Sequence, residues 1–285
     1  MKTAESLLDK HQIAAQAIRA ADGLRIVAGA GMSADSGLPI FIGLDSFWRT
    51  LGIPINKNTM NFQRMVSSPG AFIWRPDRAW GFYGQLLNLY RDTVPHDGFR
   101  LLQEMASKLP HGAFVCTGNV DGQFQKAGFS DDSLLEVSGS IHYLQCVSNC
   151  GLIWTADDFK PEINLEKRLI TSALPRCPMC GELARPNIRK CCGEKHNSNR
   201  LDTQNNRHIE WQQHLKNPVT IAIEMDCAAV AMHAMEEHTD KRGFLIRIQS
   251  WDDLWEDESF DANREVVLNG GILEVLRGIT AALRS

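Results

Sequence analysis

The sequence predicts an α/β protein: a doubly wound parallel sheet carrying a small metal-binding module and a helical insertion. Three observations support this. Short apolar runs at 24–28, 113–117, 134–137, 219–224 and 244–248 alternate with stretches of helical periodicity, as expected where helices cross between parallel strands. The first run passes directly into Gly29-Ala30-Gly31, a turn that lets the backbone bend sharply at a strand end. Two closely spaced cysteine pairs, Cys146/Cys150 and Cys177/Cys180, interrupt the alternation midway.

Residues 5–22 form an amphipathic helix with Leu8, Ile13, Ala17 and Ile18 on its packing side, ended by Asp22-Gly23. Leu24 to Ala28 is a buried strand, with Ile26 and Val27 β-branched. After the glycines, Ser33 or Ser36 is placed to cap the next helix or to donate to a phosphate. Many α/β turns look like this, so the residues alone leave a phosphate cradle and a plain turn both open. The stretch from Phe47 to Tyr90 is rich in Phe, Trp and Met, with helical patterns at 61–67 and 77–91. Within it Trp48, Phe72, Trp74, Trp80 and Phe82 read as core or cleft wall. Pro95-His96-Asp97-Gly98 opens a helix over about 99–108, with His96 structural or capping. The strand at 113–117 holds Cys116 as a small core residue and is followed by Asn119 and Asp121. Those two read either as helix caps at a strand end or as a polar ligand pocket. Residues 190–210 read as a polar loop, and 271–282 as a closing amphipathic helix.

At 285 residues and 44% hydrophobic, the chain can bury one large core and a small module. A net charge of −4 with both signs interspersed argues against nucleic acid and membrane surfaces as partners. No apolar run reaches the roughly 20 residues that span a bilayer. The first 22 residues form a mixed-charge helix rather than a signal peptide, so a cytoplasmic location is expected. Eight cysteines in that setting point to thiols and metal rather than disulfides.

Cys146-x3-Cys150 and Cys177-x2-Cys180 are separated by 26 residues, and each pair is followed by glycine, Gly151 or Gly181. Two tight knuckles of this kind suit tetrahedral four-cysteine zinc. Four protein ligands leave no open position, so the expected metal is structural zinc without chemistry of its own. Cys191 and Cys192 fall outside the pattern as free thiols or a reactive pair.

GAGMSADSGLPIF (29–41) resembles the sirtuin signature GAGxSxxSGIPxFRG, and TGNVDGQFQKAG (117–128) is similar to TQNIDxLHxxAG. EVSGS (136–140) stands where sirtuins have ELHGS, with the cysteine pairs in the place of their zinc module. The chain thus resembles the sirtuins, NAD-dependent protein deacylases with a Rossmann-like NAD-binding domain. The resemblance implies that domain over 1–45, 95–140 and 185–285, a cofactor loop and helical module over 46–94, and the zinc module over 141–184. It implies NAD as cosubstrate and structural zinc. Gly29, Ala30, Gly31 and Ser33 would form the pyrophosphate cradle, and Phe41 would cover the ribose. Asn119 and Asp121 would seat the nicotinamide amide and orient the ribose. Asp226, Cys227 and Gln249 would stand at the adenosine end.

The departures bear on activity. Sirtuins use a histidine as general base, and Ser138 holds that position here. A hydroxyl is a poor base at neutral pH, and general base catalysis contributes about 10²–10⁴ in rate. Ile42 replaces an arginine, Ile40 an acid and Gly118 a glutamine. Met225-Asp226-Cys227 replaces a neutral phosphate turn, placing a carboxylate where it disfavours pyrophosphate. Lys190-Cys191-Cys192 replaces apolar residues at the substrate groove. His142, four residues past Ser138, stands more than about ten ångströms along an extended strand at ~3.3 Å per residue, too far to replace the base. GNVDGQFQKAGF and Leu144-Gln145-Cys146 also resemble the macrodomain-linked sirtuins of microbes, which lack the histidine and transfer ADP-ribose to protein. Three functions are therefore expected in turn: NAD consumption with redirected ADP-ribosyl transfer or weak deacylation, a pseudoenzyme scaffold, or a small-molecule enzyme in the same cleft. The acceptor, protein or small molecule, is not set by the sequence.

Overall fold

The computed structural model describes residues 2–39 (side chains from Lys10), 51–52, 66, 68, 70–189, 196–223, 243–249 and 263–285. Helix α1 (Lys2–Ala20) leads into β1 (Gly23–Ala28) and the short helix α2 (Gly31–Ala34). Helices α3 (Ala71–Trp74), α4 (Pro76–Asp92) and α5 (Asp97–Ala106) precede β2 (Ala113–Thr117). Then come the short helix α6 (Gln123–Lys126), β3 (Leu134–Glu136) and β4 (Gly139–Cys146). Strands β5 (Ile153–Thr155), β6 (Ile163–Asn164), β7 (Leu169–Ile170) and β8 (Ala184–Ile188) follow. Helix α7 (Asn199–Gln213), β9 (Pro218–Ile223), β10 (Phe244–Gln249), β11 (Glu265–Asn269) and α8 (Ile272–Arg284) complete the order.

The central sheet is parallel, in the order β11-β10-β9-β1-β2-β3. Strand order reverses between β1 and β9, which is where ligands bind in open α/β sheets, beyond the carboxyl ends of the strands. All six residues of β1 are buried, and their period-2 alternation divides the core. Leu24 and Ile26 pack with Phe99, Leu102 and Leu276 on one face. Val27 packs with Phe114, Cys116 and Leu135 on the other. A separate antiparallel sheet, β5-β4-β8, continues directly from the end of β3.

Helix α1 buries Ala14, Ala15, Ile18 and, just past its end, Ala21, whereas Ile13 is 43% exposed. The packing side is therefore rotated from the expected one: the i, i+4, i+7 set that meets the sheet is made mostly of small alanines, and Arg19 donates to the Ala282 carbonyl at 2.8 Å to hold α8 alongside. In α4, Trp80, Tyr83, Leu87 and Tyr90 lie inward. Trp80 packs edge-on against Phe72 at 5.6 Å and donates from Nε1 to the Ala184 carbonyl at 3.0 Å. Phe72, Trp80 and Phe82 are core, but Trp74 is 75% exposed. The 61–67 helical pattern and Trp48 lie largely or wholly outside the described residues.

The loop expected over 190–210 is instead largely helix, α7, from Asn199 onward. Its inward stripe, Arg200-Gln204-His208, recurs every four residues but is polar, so an apolar periodicity does not reveal it. Arg200 forms an ion pair with Glu136, which is 1% exposed, and Gln204 both donates to that carboxylate (3.3 Å) and accepts from the Glu136 amide (3.1 Å). The Arg200 guanidinium also lies 4.1 Å from the centre of the Tyr143 ring. His208 and Trp211 pack on Phe114, 4.9 and 5.5 Å between centroids. Arg200→Leu leaves a buried carboxylate without its counter-ion and is expected to cost about 3–5 kcal/mol. Chemical denaturation should show this, together with a smaller loss in the double variant Glu136→Leu/Arg200→Leu.

Candidate active site and metal centre

The strand ends converge on Thr117. Its hydroxyl donates to the Ala28 carbonyl at 2.8 Å and accepts from the Asn119 amide at 3.0 Å. Its carbonyl accepts from the Val137 amide at 3.0 Å. One residue, by its hydroxyl and its carbonyl, thus ties the ends of β1 and β2 to the turn after β3, which carries Ser138. Gly29 adds β9: its amide donates to the Ile223 carbonyl at 3.0 Å, and its own carbonyl accepts from Asn119 Nδ2 at 3.0 Å.

Asp121 is a buried carboxyl at this edge, 7% exposed. Ser33 Oγ donates to its Oδ2 at 2.7 Å, and the Gln123 amide donates to its Oδ1 at 2.9 Å. Asn119 Nδ2 also lies 3.3 Å from Ser33 Oγ. Burial holds the Asp121 carboxyl above the usual carboxylate range, and the Gln123 and Ser33 donors oppose that rise. The result is a packed Ser33–Asp121–Asn119 group of buried polar side chains at the ends of β1 and β2.

The sequence-predicted residues distribute as follows. Gly29, Ala30, Gly31 and Ser33 form the turn and short helix after β1; Ser33 turns to Asp121, and Ser36 accepts from the His96 amide at 2.9 Å. His96 caps α5, accepting from the Gly98 amide at Nδ1 (3.0 Å), with Nε2 on the Met32 carbonyl (2.8 Å). Ser138 is half-buried in the turn between β3 and β4, where its carbonyl accepts from the Arg189 amide at 2.8 Å. Gln249 closes β10, its Nε2 3.4 Å from Asn269 Oδ1. Phe41, Ile40, Ile42, Lys190, Cys191, Cys192, Met225, Asp226 and Cys227 lie outside the described residues. Thr117 and Gln123 were not singled out from sequence. Gln123 is fully buried and donates to the Tyr90 carbonyl at 3.0 Å. A cavity of about 440 Å³, lined in part by Tyr90, Gly122, Gln125 and His142, opens beside the 119–122 turn.

Cys146, Cys150, Cys177 and Cys180 converge with every Sγ within 4.8 Å of the others. The pairs Cys146–Cys180 and Cys150–Cys177 are both 3.5 Å apart, too long for disulfides. With Zn–S bonds of ~2.3 Å a tetrahedral site needs sulfurs about 3.8 Å apart, so the donor set fits zinc. Gly181 adopts φ 76°, a left-handed turn that closes the second knuckle and lets its amide donate to the Cys177 carbonyl at 2.9 Å. Burial works against ionisation of Cys177, but the Cys180 and Met179 amides outweigh it and bring the thiol down to about 7. Elemental analysis is expected to find about one zinc per chain. Cys177→Ser should lower Tm by about 5–10 °C, at 2–4 °C per kcal/mol for a chain of this size. A stable wild type without metal would overturn the assignment.

The Sir2 family model matches residues 29–215. The NAD-dependent protein deacylase of Aquifex aeolicus is 31% identical over 169 residues, covering 59% of this chain and 61% of the relative. The chain therefore aligns with about three-fifths of that relative's length. Among solved structures, a mutant Sir2 homologue in complex with ADP ribose superposes with TM-score 0.68 at 21% identity, covering 95% of both chains. A Sir2 homolog–NAD complex superposes with TM-score 0.65 at 21% identity, covering 95% of this chain and 92% of the other. At those identities the structures establish the shared fold, and the family match over 29–215 takes in the ends of β2 and β3, the Ser33, Asn119 and Asp121 positions and all four cysteines. The chain belongs to the Sir2 family.

Proposed function

We propose that this chain binds NAD at the Ser33–Asp121–Asn119 group, releases nicotinamide and passes ADP-ribosyl to an acceptor other than an acyl-lysine. The observation that carries this reading is a buried carboxylate and a buried amide, joined through Ser33, at the carboxyl ends of β1 and β2. A nicotinamide carboxamide presents an NH2 donor group and a carbonyl acceptor, which the Asp121 carboxylate and the Asn119 amide complement. The NAD and ADP-ribose complexes among the structural neighbours support the choice of nucleotide. The organisation we propose is the one expected above: a nucleotide domain over 1–45, 95–140 and 185–285, a cofactor loop and helical module over 46–94, and a zinc module over 141–184.

Ser138 directs the outcome. Deacylation by the sirtuin route needs a base on a ribose hydroxyl, which Ser138 does not supply. Nicotinamide release makes no such demand. The bond between the ribose carbon and the nicotinamide nitrogen breaks with its electron pair leaving on nicotinamide, so Asn119 and Asp121 act by holding the leaving group. An acceptor lone pair then bonds to that carbon, and the acceptor proton passes to solvent.

Purified protein incubated with NAD is expected to release nicotinamide, and Asn119→Ala to slow release by about 10²-fold, the scale of losing one positioned polar group. Absence of release, together with no NAD-dependent rise in Tm, would sink the enzymatic reading in favour of a scaffold. Deacetylation of an acetyl-lysine peptide should sit near background and rise in Ser138→His. Robust wild-type deacetylation would instead assign the chain the activity named for its relatives.

A further inference from the structure

The sequence placed His142 too far along a strand to act as the missing base. The structure gives it another task. β4 holds the 119–122 turn by two successive carbonyls: the Ile141 amide donates to the Val120 carbonyl at 3.0 Å, and His142 Nε2 lies 2.8 Å from the Asp121 carbonyl. The first contact is main chain and available to any residue. The second belongs to the histidine side chain alone.

A carbonyl only accepts, so Nε2 carries the proton and Nδ1 is the acceptor. Burial pulls the His142 pKa below its ordinary value, which favours the neutral ring. The next residue, Gly122, has φ 71°, and a Cβ there would come within 2.6 Å of the ring. Glycine therefore serves two needs at once: the left-handed turn and the close approach of the imidazole edge. The ring itself is anchored through its strand, where the His142 carbonyl accepts from the Ala156 amide at 2.8 Å. Asp121 is thus gripped at both ends, its carboxylate by Ser33 and Gln123 and its carbonyl by His142.

We propose that His142 is a positioning residue for the nicotinamide seat: it fixes the main chain of Asp121 so that the carboxylate meets the leaving group in register. This rests on the nucleotide reading above. It makes no use of the histidine as a base.

The test compares wild type, His142→Leu, His142→Gln and Gly122→Ala by two readouts: the rate of nicotinamide release at saturating NAD, and affinity for ADP-ribose, which lacks the nicotinamide. His142→Leu is expected to slow release by about 10- to 100-fold, the scale of a small misplacement of a reacting group. Its ADP-ribose affinity, which depends on no nicotinamide contact, should fall by much less than the rate of release. His142→Gln can present an amide N–H to the same carbonyl and should restore most of the rate. Gly122→Ala should mimic His142→Leu. A general packing role would weaken ADP-ribose binding in parallel and would not be rescued by glutamine, and either result overturns the proposal. If His142→Leu does not fold, the glutamine and Gly122→Ala variants decide: a wild-type rate in Gly122→Ala, or no rate in a folded His142→Gln, overturns it. Wild-type rates in His142→Leu overturn this inference and leave the nucleotide reading intact. A wild type that releases no nicotinamide overturns that reading, and the inference with it.

Discussion

A carboxylate taken out of water must find donors, and Asp121 finds them in separate parts of the chain. Ser33 comes from the helix after β1, and the Gln123 amide from the start of the helix after β2. Both can reach it only if β1 and β2 end level. Parallel pairing with Ala28 opposite Thr117 secures that, and the Thr117 hydroxyl bonds across the same step. A slip of one residue would turn the side chain of every residue in β2 to the other face and remove Asp121 from its donors. Sheet register and site geometry are therefore one constraint. The apolar alternation of β1, which buries one residue set on each face, enforces it.

The metal centre is tied to the same edge. β4 starts at Gly139, next to Ser138, holds the Asp121 turn through Ile141 and His142, and ends at Cys146. β8 starts near Cys180 at Ala184 and returns to Ile188, after which the Arg189 amide donates to the Ser138 carbonyl. The two strands join one structural unit to the other, with four thiols at the far end and the Ser138 turn at the near end. Zinc bound there would do no chemistry, yet it would fix the pairing on which the Ser138 turn depends.

What the sequence disclosed follows from how each contact is encoded. The five runs read as strands are strands, because burial on both faces requires continuous apolar residues. β11 escaped notice: its five residues open with Glu265, which pairs with Arg247 on β10. The α7 helix escaped because its inward face meets the buried Glu136 and so must be polar. The cysteine spacing stood out because metal ligation requires side chains of one kind at short intervals. Asn119 and Asp121 were legible through a motif. Thr117 and the Asp121 contact of His142 were not, because both act largely on main-chain groups, and a carbonyl partner leaves no trace in residue type.

The serine at 138 can be understood from how its turn is built. The turn is held by the Val137 amide on the Thr117 carbonyl and by the Ser138 carbonyl under the Arg189 amide. Neither bond involves the side chain, so exchanging histidine for serine there changes chemistry without disturbing the strands on either side. Asp121 and Asn119 have no such freedom, because their side chains are partners in the buried network that joins β1 to β2. A side chain that also holds the fold together is replaced only at structural cost, whereas one held in place only through its backbone can be replaced at little cost. If Asp121 and Asn119 form the leaving-group seat proposed above, a chain that keeps them and lacks the base is a physically reasonable outcome of this architecture. It would retain the step that depends on the seat, release of nicotinamide, and lose the step that depends on the base.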